Sequence, residues 1–279
     1  MSSPDHSAFL EPNAIPAAEQ ARLLSLEAVM PFLASPDTRQ KLEFDRAGRL
    51  LRAGSETFPI RSGLPLLFPA RLQSFLSEDR LEIPNVRHED ALLQYSFLAT
   101  VKQNGGPANT DPEDVNRLKH VYRARLMARA AAGTLLDIGC DSPTFGKAPF
   151  PATVDYIGLD SLYVDKHEFR LIGMAEFLPF RDSTLDNVAF MASLDHILDY
   201  HRAIDEARRV LRPGGKLFLV TLVWVDRAQL FHDHVHFHHF REFEIFGALS
   251  HFSIDACVRY QWRSDNHRFA LYLTATKRG

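Results

Sequence analysis

The sequence predicts an α/β fold with a mostly parallel sheet, and three observations carry that prediction. The apolar run over residues 133–138 leads into a turn at Gly139, as a strand does when it ends in a tight loop. A second apolar run ends at Asp160, about 20 residues later. A helical pattern is then followed by the turn 213–215 and another apolar run. Strands that alternate with helices in this way indicate parallel pairing.

Composition sets limits on the kind of protein. The chain has 279 residues, a net charge of −3 and only two cysteines, Cys140 and Cys257. The acidic balance argues against a nucleic-acid partner, which usually requires a basic surface. Two distant cysteines indicate neither a disulfide framework nor a metal knuckle, and we expect Cys257 to be buried. Without a leader-like start or a run of ~20 apolar residues, the sequence predicts a cytoplasmic protein with no membrane contact.

The first 70 residues are predicted to form two units. Residues 1–20, with three prolines among small and polar residues, read as a mobile arm. Residues 21–70 read as a small α+β module that begins with a helix over 21–32 and continues in short strands and turns. The turn residues at 45–48 and the apolar runs on either side predict a hairpin there.

The remaining chain is divided into a connection and a main domain. Residues 71–110 are predicted to hold a helical connection and a linker, and residues 111–279 the main domain. That domain begins with a helix over 111–132, because Asp111 supplies an N-cap and Pro112 suits the first helical position. A further helix is predicted over 200–211, with Arg208 and Arg209 on its solvated face. The predicted strands are 134–138, 156–159, 169–172, 185–191 and 216–223, and an antiparallel edge pair at 257–262 and 268–276.

The order of four motifs resembles the class I S-adenosylmethionine-dependent methyltransferases of the methyltransferase type 11-like group. The motifs are the glycine turn at 133–141, the run ending at Asp160, the segment "GMAEFLPF" at 173–180 and the string "RVLRPGGKL" at 209–217. The resemblance extends from about residue 110 to the C-terminus. It implies a Rossmann-like, mostly parallel seven-stranded sheet with an antiparallel C-terminal edge pair, and S-adenosylmethionine as cofactor, with S-adenosylhomocysteine as product.

The resemblance also implies where the cofactor binds. Asp137 and the backbone at Gly139 would meet the methionine moiety, and Asp160 would accept hydrogen bonds from the ribose hydroxyls. Ala175 and Glu176 would lie near the adenine. The full set of predicted cofactor-binding residues is Asp137, Gly139, Cys140, Asp141, Asp160, Ser161, Ala175, Glu176 and Met191.

This sequence departs from the family pattern at two cofactor positions. The family usually has a second glycine where Asp141 stands, and a side chain there narrows the space for a ligand. It commonly has an acid where Met174 stands, and losing that acceptor would cost about 1 kcal/mol or more in affinity. Prolines at 143, 149 and 151 also predict that the first helix of the domain lasts one or two turns.

Candidate catalytic residues follow the fourth and fifth strands of the domain. Asp195, His196 and His234 are the predicted catalytic residues, since a base assists methyl transfer to a hydroxyl group. His234 belongs to a run of five histidines over 232–239. Alternate histidines of the run share one face if the run is extended, whereas a helix pairs them four residues apart. Three roles stay open for this run: a structural or lid-like role, substrate binding or general-base catalysis, and metal binding. No residue is assigned as a metal ligand.

The 21–70 module resembles the small Trm112/UPF0434-like domain in the strings "LASPDTRQKLEFD" and "FPIRSGLPLLF". Zinc-binding members carry paired cysteines, and Ser35 and Thr38 stand at the first pair. No cysteine precedes Cys140, so composition excludes a zinc thiolate site in this module. The module would then dock on its own domain, on a protein partner or homodimer, or on substrate, or serve as a plain structural cap.

These observations predict a methyltransferase that acts on an oxygen or nitrogen atom of a small-molecule or glycan-type acceptor. The alternative is a methyltransferase-fold binding or regulatory subunit without turnover, which Asp141, Met174 and the cysteine-free module favour. An RNA methyltransferase rests on the N-terminal resemblance alone and is opposed by the acidic balance.

Overall fold

The structure, a computed structural model, describes residues 20–73, 131–141, 143–147, 149–161, 168–225, 236–260 and 268–279. Most of the predicted arm, the predicted connection beyond residue 73 and His234 lie outside the described residues. So does the helix predicted over 111–132, except for residues 131 and 132, which are not helical.

The predicted central sheet is present, with short extensions at one edge. Its strands are β1 (Arg22–Leu23), β6 (Gly133–Ile138), β7 (Val154–Asp160), β8 (Leu171–Ile172), β9 (Leu185–Met191), β10 (Leu211–Trp224), β11 (Phe252–Tyr260) and β12 (Arg268–Lys277). They lie in the order β1-β7-β6-β9-β10-β12-β11, and β8 also pairs with β7. The pairs from β1 through β10 are parallel, and β12 is antiparallel to both β10 and β11. The predicted fold class is therefore confirmed.

Buried apolar side chains on both faces explain why these strands are central. In β7 the pattern places every residue but Asp155 in the interior, as expected for a parallel strand covered on both sides. Helices α3 (Pro143–Lys147) and α4 (Tyr200–Val210) follow strands of the sheet, and α5 (Glu242–Ala248) precedes β11. Asp199 caps α4 by accepting a hydrogen bond from the Arg202 amide. The five-residue α3 has the length that the surrounding prolines predicted.

The N-terminal residues form a second, smaller sheet and a short helix. Helix α1 (Leu26–Val29) precedes β2 (Glu43–Asp45), β3 (Leu50–Ala53), β4 (Glu56–Arg61) and β5 (Leu64–Pro65), which pair in that order, and helix α2 (Ala70–Gln73) follows. The helix predicted over 21–32 was wrong in its first half, because residues 22 and 23 pair with the edge of the main sheet instead. Tertiary pairing overrides helical spacing there.

The small sheet packs directly on the main one. The Leu67 amide donates to the Ile172 carbonyl at 2.7 Å, and the Ala34 amide donates to the Pro179 carbonyl at 3.0 Å. Ser35 is buried, and its hydroxyl accepts from the Thr38 amide at 3.0 Å. Thus hydrogen bonds to a serine hydroxyl hold the turn where the resemblance placed the first pair of zinc ligands.

Glu206 of α4 joins the two sheets through charge-assisted hydrogen bonds. Its carboxylate accepts from Arg39 at 2.9 Å, from Arg209 at 2.8 Å and from the Leu178 amide at 2.9 Å. The prediction that Arg209 is solvated was wrong: its side chain is 19% exposed and also pairs with Asp182. Asp182 lies 27 residues away in sequence, so a helical wheel alone did not reveal its contact with Arg209.

The outer edge of the main sheet is β11, which is exposed over most of its length. Cys257 lies on this edge and is exposed, so its predicted burial was wrong. The buried strand of the predicted edge pair is β12, which lies between β10 and β11. Among the helices that the structure describes, none has the length and hydropathy to cross a membrane.

Candidate functional site

The glycine turn after β6 has the backbone conformation that its sequence predicted. Gly139 has φ +75°, in the left-handed region that favours glycine. A Cβ atom at this position would lie 2.5 Å from the Cβ of Ser193. The Ser193 hydroxyl in turn donates to the Ile138 carbonyl at 2.5 Å. Gly139 is therefore required for contact between this turn and the segment after β9, in addition to the role that the resemblance implied.

Asp141 adopts a glycine-like conformation although it carries a side chain. Its φ is +51°, and its amide donates to Oδ2 of Asp160 at 2.8 Å. Aspartate is among the residues that tolerate this region. The departure at Asp141 thus keeps the backbone course expected of a glycine, and the turn is tied to the carboxylate predicted to bind the ribose.

Asp137 is the most deeply buried acid of the turn. It is 1% exposed, and its Oδ2 accepts a hydrogen bond from the Tyr156 hydroxyl at 2.5 Å. Its Oδ1 is buried and has no hydrogen-bond partner. Burial raises the pKa of Asp137 to about 7, although the bond from Tyr156 acts in the opposite direction. The carboxyl group can therefore change protonation near neutral pH.

Three further predicted cofactor residues lie around the same strand ends. Cys140 is buried, and burial together with the nearby Asp160 raises the pKa of its thiol well above the usual value. This side chain is inert at neutral pH, as expected if its backbone matters more than its sulfur. Ser161 follows β7 directly, and Met191 ends β9 half-buried. Both lie at the carboxyl edge of the sheet, where ligands of open α/β sheets bind.

Ala175 and Glu176 belong to a buried 3₁₀ turn, Ala175–Phe177. The Glu176 carboxylate accepts from the Asp199 amide at 3.5 Å, and its backbone carbonyl accepts from Arg202 at 2.8 Å. Burial raises the pKa of Glu176 to about 7. Met174, at the position of the missing acid, is buried among apolar side chains. Glu176 thus contacts the start of α4.

Two of the predicted catalytic residues are brought together with a third side chain. Asp195 and His196 lie in the 3₁₀ turn Leu194–His196 after β9. Nε2 of His196 is 3.9 Å from Oδ1 of Asp195, and Nε2 of His236 is 3.8 Å from Oδ2. The two imidazole rings are 4.7 Å apart. His236 is the described member of the histidine run that meets Asp195, and the predicted His234 lies outside the described residues.

The segment 236–240 is neither a helix nor a strand, and its histidines have different neighbours. The ring nitrogen Nε2 of His238 is 3.0 Å from the Ile197 carbonyl, and the ring stacks on Phe240 at 5.2 Å. His239 stacks on Trp224 at 4.4 Å. Among the three described histidines of the run, His236 is the one that joins the cluster with Asp195.

The sequence reasoning missed two residues that shape the site. Tyr156 was assigned only as the start of a strand, yet it supplies the hydrogen bond to Asp137. Its polar hydroxyl within an otherwise apolar run was the available signal, because buried tyrosines require a partner. Ser193 had no signal, since its contact with Gly139 depends on the pairing of β6 with β9.

Comparisons with known proteins agree with this architecture. Residues 158–219 match the family described as "Methyltransferase domain". The match begins within β7 and so omits the glycine turn where the chain departs from the pattern. A search of solved structures finds the cyclase SpnF, with a TM-score of 0.50 and 18% identity over 67% of this chain and 94% of that one. This likeness supports the fold alone.

Curated relatives match over shorter stretches. An uncharacterized methyltransferase of Mycobacterium tuberculosis is 34% identical over 108 residues, which are 36% of this chain and 43% of the relative. The ubiquinone/menaquinone biosynthesis C-methyltransferase UbiE of Acidiphilium cryptum is 50% identical over 44 residues, or 16% of this chain and 18% of the relative. The matched region therefore covers less than half of the length of either relative.

The matched segment supports a methyltransferase domain in this part of the chain, and the strand order confirms the predicted fold class. The comparisons do not extend to the Trm112-like assignment of residues 21–70 or to the acceptor.

Proposed function

We propose that the protein is an S-adenosylmethionine-dependent methyltransferase that acts on an oxygen or nitrogen atom of a small-molecule or glycan-type acceptor. The observation that carries this proposal is the bond from the Asp141 amide to Asp160. It keeps the glycine-like turn and the ribose-binding carboxylate in one unit despite the substitution. A chain released from cofactor binding would have no need for such a left-handed aspartate, which costs about 1–3 kcal/mol unless its surroundings stabilise it.

The residues present fit the cofactor at both ends of the turn. Asp137 has a buried oxygen without a hydrogen-bond partner, which suits a donor such as the amino group of the methionine moiety. Asp160 follows at the end of the adjacent strand, where a carboxylate can accept from a ribose diol. When bound, the cofactor supplies a methyl group activated by its sulfonium. The protein positions the acceptor and excludes water from the site.

Asp195 and His196 are proposed to act on the acceptor. They follow β9, and Ser193 connects this segment to the glycine turn through the Ile138 carbonyl. An imidazole beside a carboxylate can take a proton from a hydroxyl acceptor. A small-molecule acceptor is also consistent with UbiE, whose name places it in quinone biosynthesis. The name of UbiE specifies a carbon acceptor. A screen of acceptors with oxygen, nitrogen and carbon nucleophiles would therefore decide which atom this protein methylates.

A second candidate is a methyltransferase-fold subunit that binds without turnover. Its supporting observation is Met174, which is buried in an apolar cluster where the resemblance expects an acid for the adenine. On this reading the cofactor binds weakly or not at all. The charge of the chain, −3, continues to argue against an RNA acceptor.

Calorimetric titration with S-adenosylhomocysteine tests the proposal. We expect micromolar binding by the wild type and at least tenfold weaker binding by Asp160→Ala. The matched control is Asp155→Ala, because Asp155 begins the same strand and pairs with Arg22 away from the glycine turn. Equal affinities of wild type and Asp160→Ala would contradict the assigned site. No binding by the wild type would favour the subunit without turnover.

A further inference from the structure

The cluster of Asp195, His196 and His236 combines two imidazoles and one carboxylate at the carboxyl edge of the sheet. The three side chains offer donor atoms that all lie within 4.8 Å of one another. Two of these separations, 3.8 and 3.9 Å, exceed a hydrogen bond. The side chains therefore converge on a common point without bonding one another.

A second observation is the state of the Asp195 carboxylate. Asp195 is 5% exposed, and its Oδ1 is buried without a hydrogen-bond partner. A buried carboxylate oxygen in that state costs free energy, and native structures normally satisfy it with a donor or a cation. His196 contributes its ring nitrogen from the neighbouring position in the same turn. The unsatisfied Oδ1 faces Nε2 of His196 at 3.9 Å, while Oδ2 faces Nε2 of His236 at 3.8 Å.

The backbone fixes the two segments that carry the cluster. The carbonyl of Asp195 accepts from the Phe237 amide at 2.9 Å and from the His238 amide at 3.2 Å. The Trp224 amide also donates to the Phe240 carbonyl at 2.8 Å, which holds the other end of the segment 236–240. His236 is therefore held beside Asp195 by bonds that do not involve its own side chain, an arrangement that limits the entropy lost on binding a ligand.

The donor set selects the chemistry of the ligand. Two imidazoles with one carboxylate suit Zn²⁺, Fe²⁺ and similar divalent transition ions, whereas Mg²⁺ and Ca²⁺ prefer oxygen ligands. Donors about 2.1 Å from such an ion lie roughly 3.0–3.4 Å apart. The observed separations require a contraction of about 1 Å. Small rotations of half-exposed imidazoles can supply it, since His196 and His236 side chains are 32% and 23% exposed.

We propose that Asp195, His196 and His236 form a binding site for one divalent transition-metal ion, of the zinc and iron class. This departs from the sequence-based prediction, which assigned no metal ligand. Three protein ligands leave at least one coordination position for water or for an oxygen or nitrogen atom of another molecule. If the proposed function holds, that molecule is the acceptor, and the ion lowers the pKa of its bound hydroxyl in place of a base.

Metal titration of the tag-free chain, stripped with a chelator, tests the site. We expect calorimetry with ZnCl₂ to show one tight site per chain, and Co²⁺ to give visible absorption from nitrogen and oxygen ligands. His196→Ala and His236→Ala should each weaken the tight site roughly tenfold or more. His251→Ala is the matched control, because His251 is an exposed histidine in the turn before β11. Its affinity should equal that of the wild type.

Two results would overturn the proposal. One is the absence of a tight site in the wild type; the other is a site of unchanged affinity in both His196→Ala and His236→Ala. Thermal unfolding of each variant shows that a lost site is not lost folding. S-adenosylhomocysteine binding is measured on the same samples. If the wild type binds metal but not S-adenosylhomocysteine, the proposed function is rejected and the metal site stands. If it binds S-adenosylhomocysteine but not metal, the metal site is rejected and the proposed function stands.

Discussion

Replacing Asp137 by asparagine tests the electrostatics of the glycine turn. The carboxyl is buried and its pKa in the folded protein is raised from 3.8 to about 7. Below pH 3.8 both the folded and unfolded states carry the proton, so the group does not alter stability. As pH rises from about 4 to 7, the unfolded chain releases the proton and the folded chain retains it. The wild type is therefore destabilised progressively over this window.

The size of this effect follows from the interval between the two pKa values. Each pH unit corresponds to about 1.4 kcal/mol, so about three units give a loss of about 4 kcal/mol by pH 8. Asparagine can still accept the bond from Tyr156 but does not titrate. The Asp137→Asn variant should thus lack this part of the pH dependence, while all other titrating groups remain the same in both proteins.

Urea unfolding at 25 °C, measured from pH 4 to pH 8, gives the comparison. The difference in free energy of unfolding between variant and wild type should grow in favour of the variant by several kcal/mol across that range. Its value at pH 4 sets the offset caused by the amide itself, so only the change with pH is interpreted. Parallel curves for the two proteins would refute the raised pKa. If Asp137 binds the cofactor as proposed, the same variant should bind S-adenosylhomocysteine more weakly although it is more stable.

Two further substitutions probe the same turn. Tyr156→Phe removes the hydrogen-bond donor to Asp137. Urea unfolding should show about 1–3 kcal/mol lower stability at pH 8 and a smaller loss at pH 4, because the carboxyl group is protonated at pH 4. Equal losses at both pH values would contradict this. Gly139→Ala places a Cβ atom 2.5 Å from the Cβ atom of Ser193. Gly214→Ala is the control, because Gly214 has a similar φ of +74° but open space around it. The thermal midpoint of the Gly139→Ala variant should therefore lie well below that of the Gly214→Ala variant. Similar midpoints for these two alanine variants would show that the contact is unimportant.

Hydrophobic periodicity predicted seven of the eight strands that the structure describes in the main sheet, and it missed β1. The predicted strand 185–191 coincides with β9, and the others differ by a few residues at their ends. The strand predicted over 216–223 begins instead at residue 211, because β10 continues through the turn residues 213–215 with an irregular register. Local patterns specify buried strands well, since both faces of each strand must be apolar.

The candidate site was only partly predictable. The glycine turn and Asp160 carry a spacing that sequence alone can reveal, and the structure brings them together. The identity of the histidine beside Asp195 depends on how the chain returns after β10, which no periodicity describes. Likewise, Glu206 binds Arg39 across 167 positions of sequence. Such contacts arise from tertiary packing, and a single sequence gives no signal for them.

The edge of the sheet at β8 has a consequence for how the protein is made. This strand has only two residues, and Leu66 lies beside Ile172 where a longer strand would continue. Leu64, Leu66 and Phe68 are covered by Ile172, Met174 and Phe177. A ribosome adds about 5–20 residues per second, so these N-terminal side chains wait roughly 5–20 seconds for residues about 100 positions later. During that time these side chains lack the apolar cover that Ile172, Met174 and Phe177 give them in the folded protein, so the nascent segment is a candidate for chaperone binding.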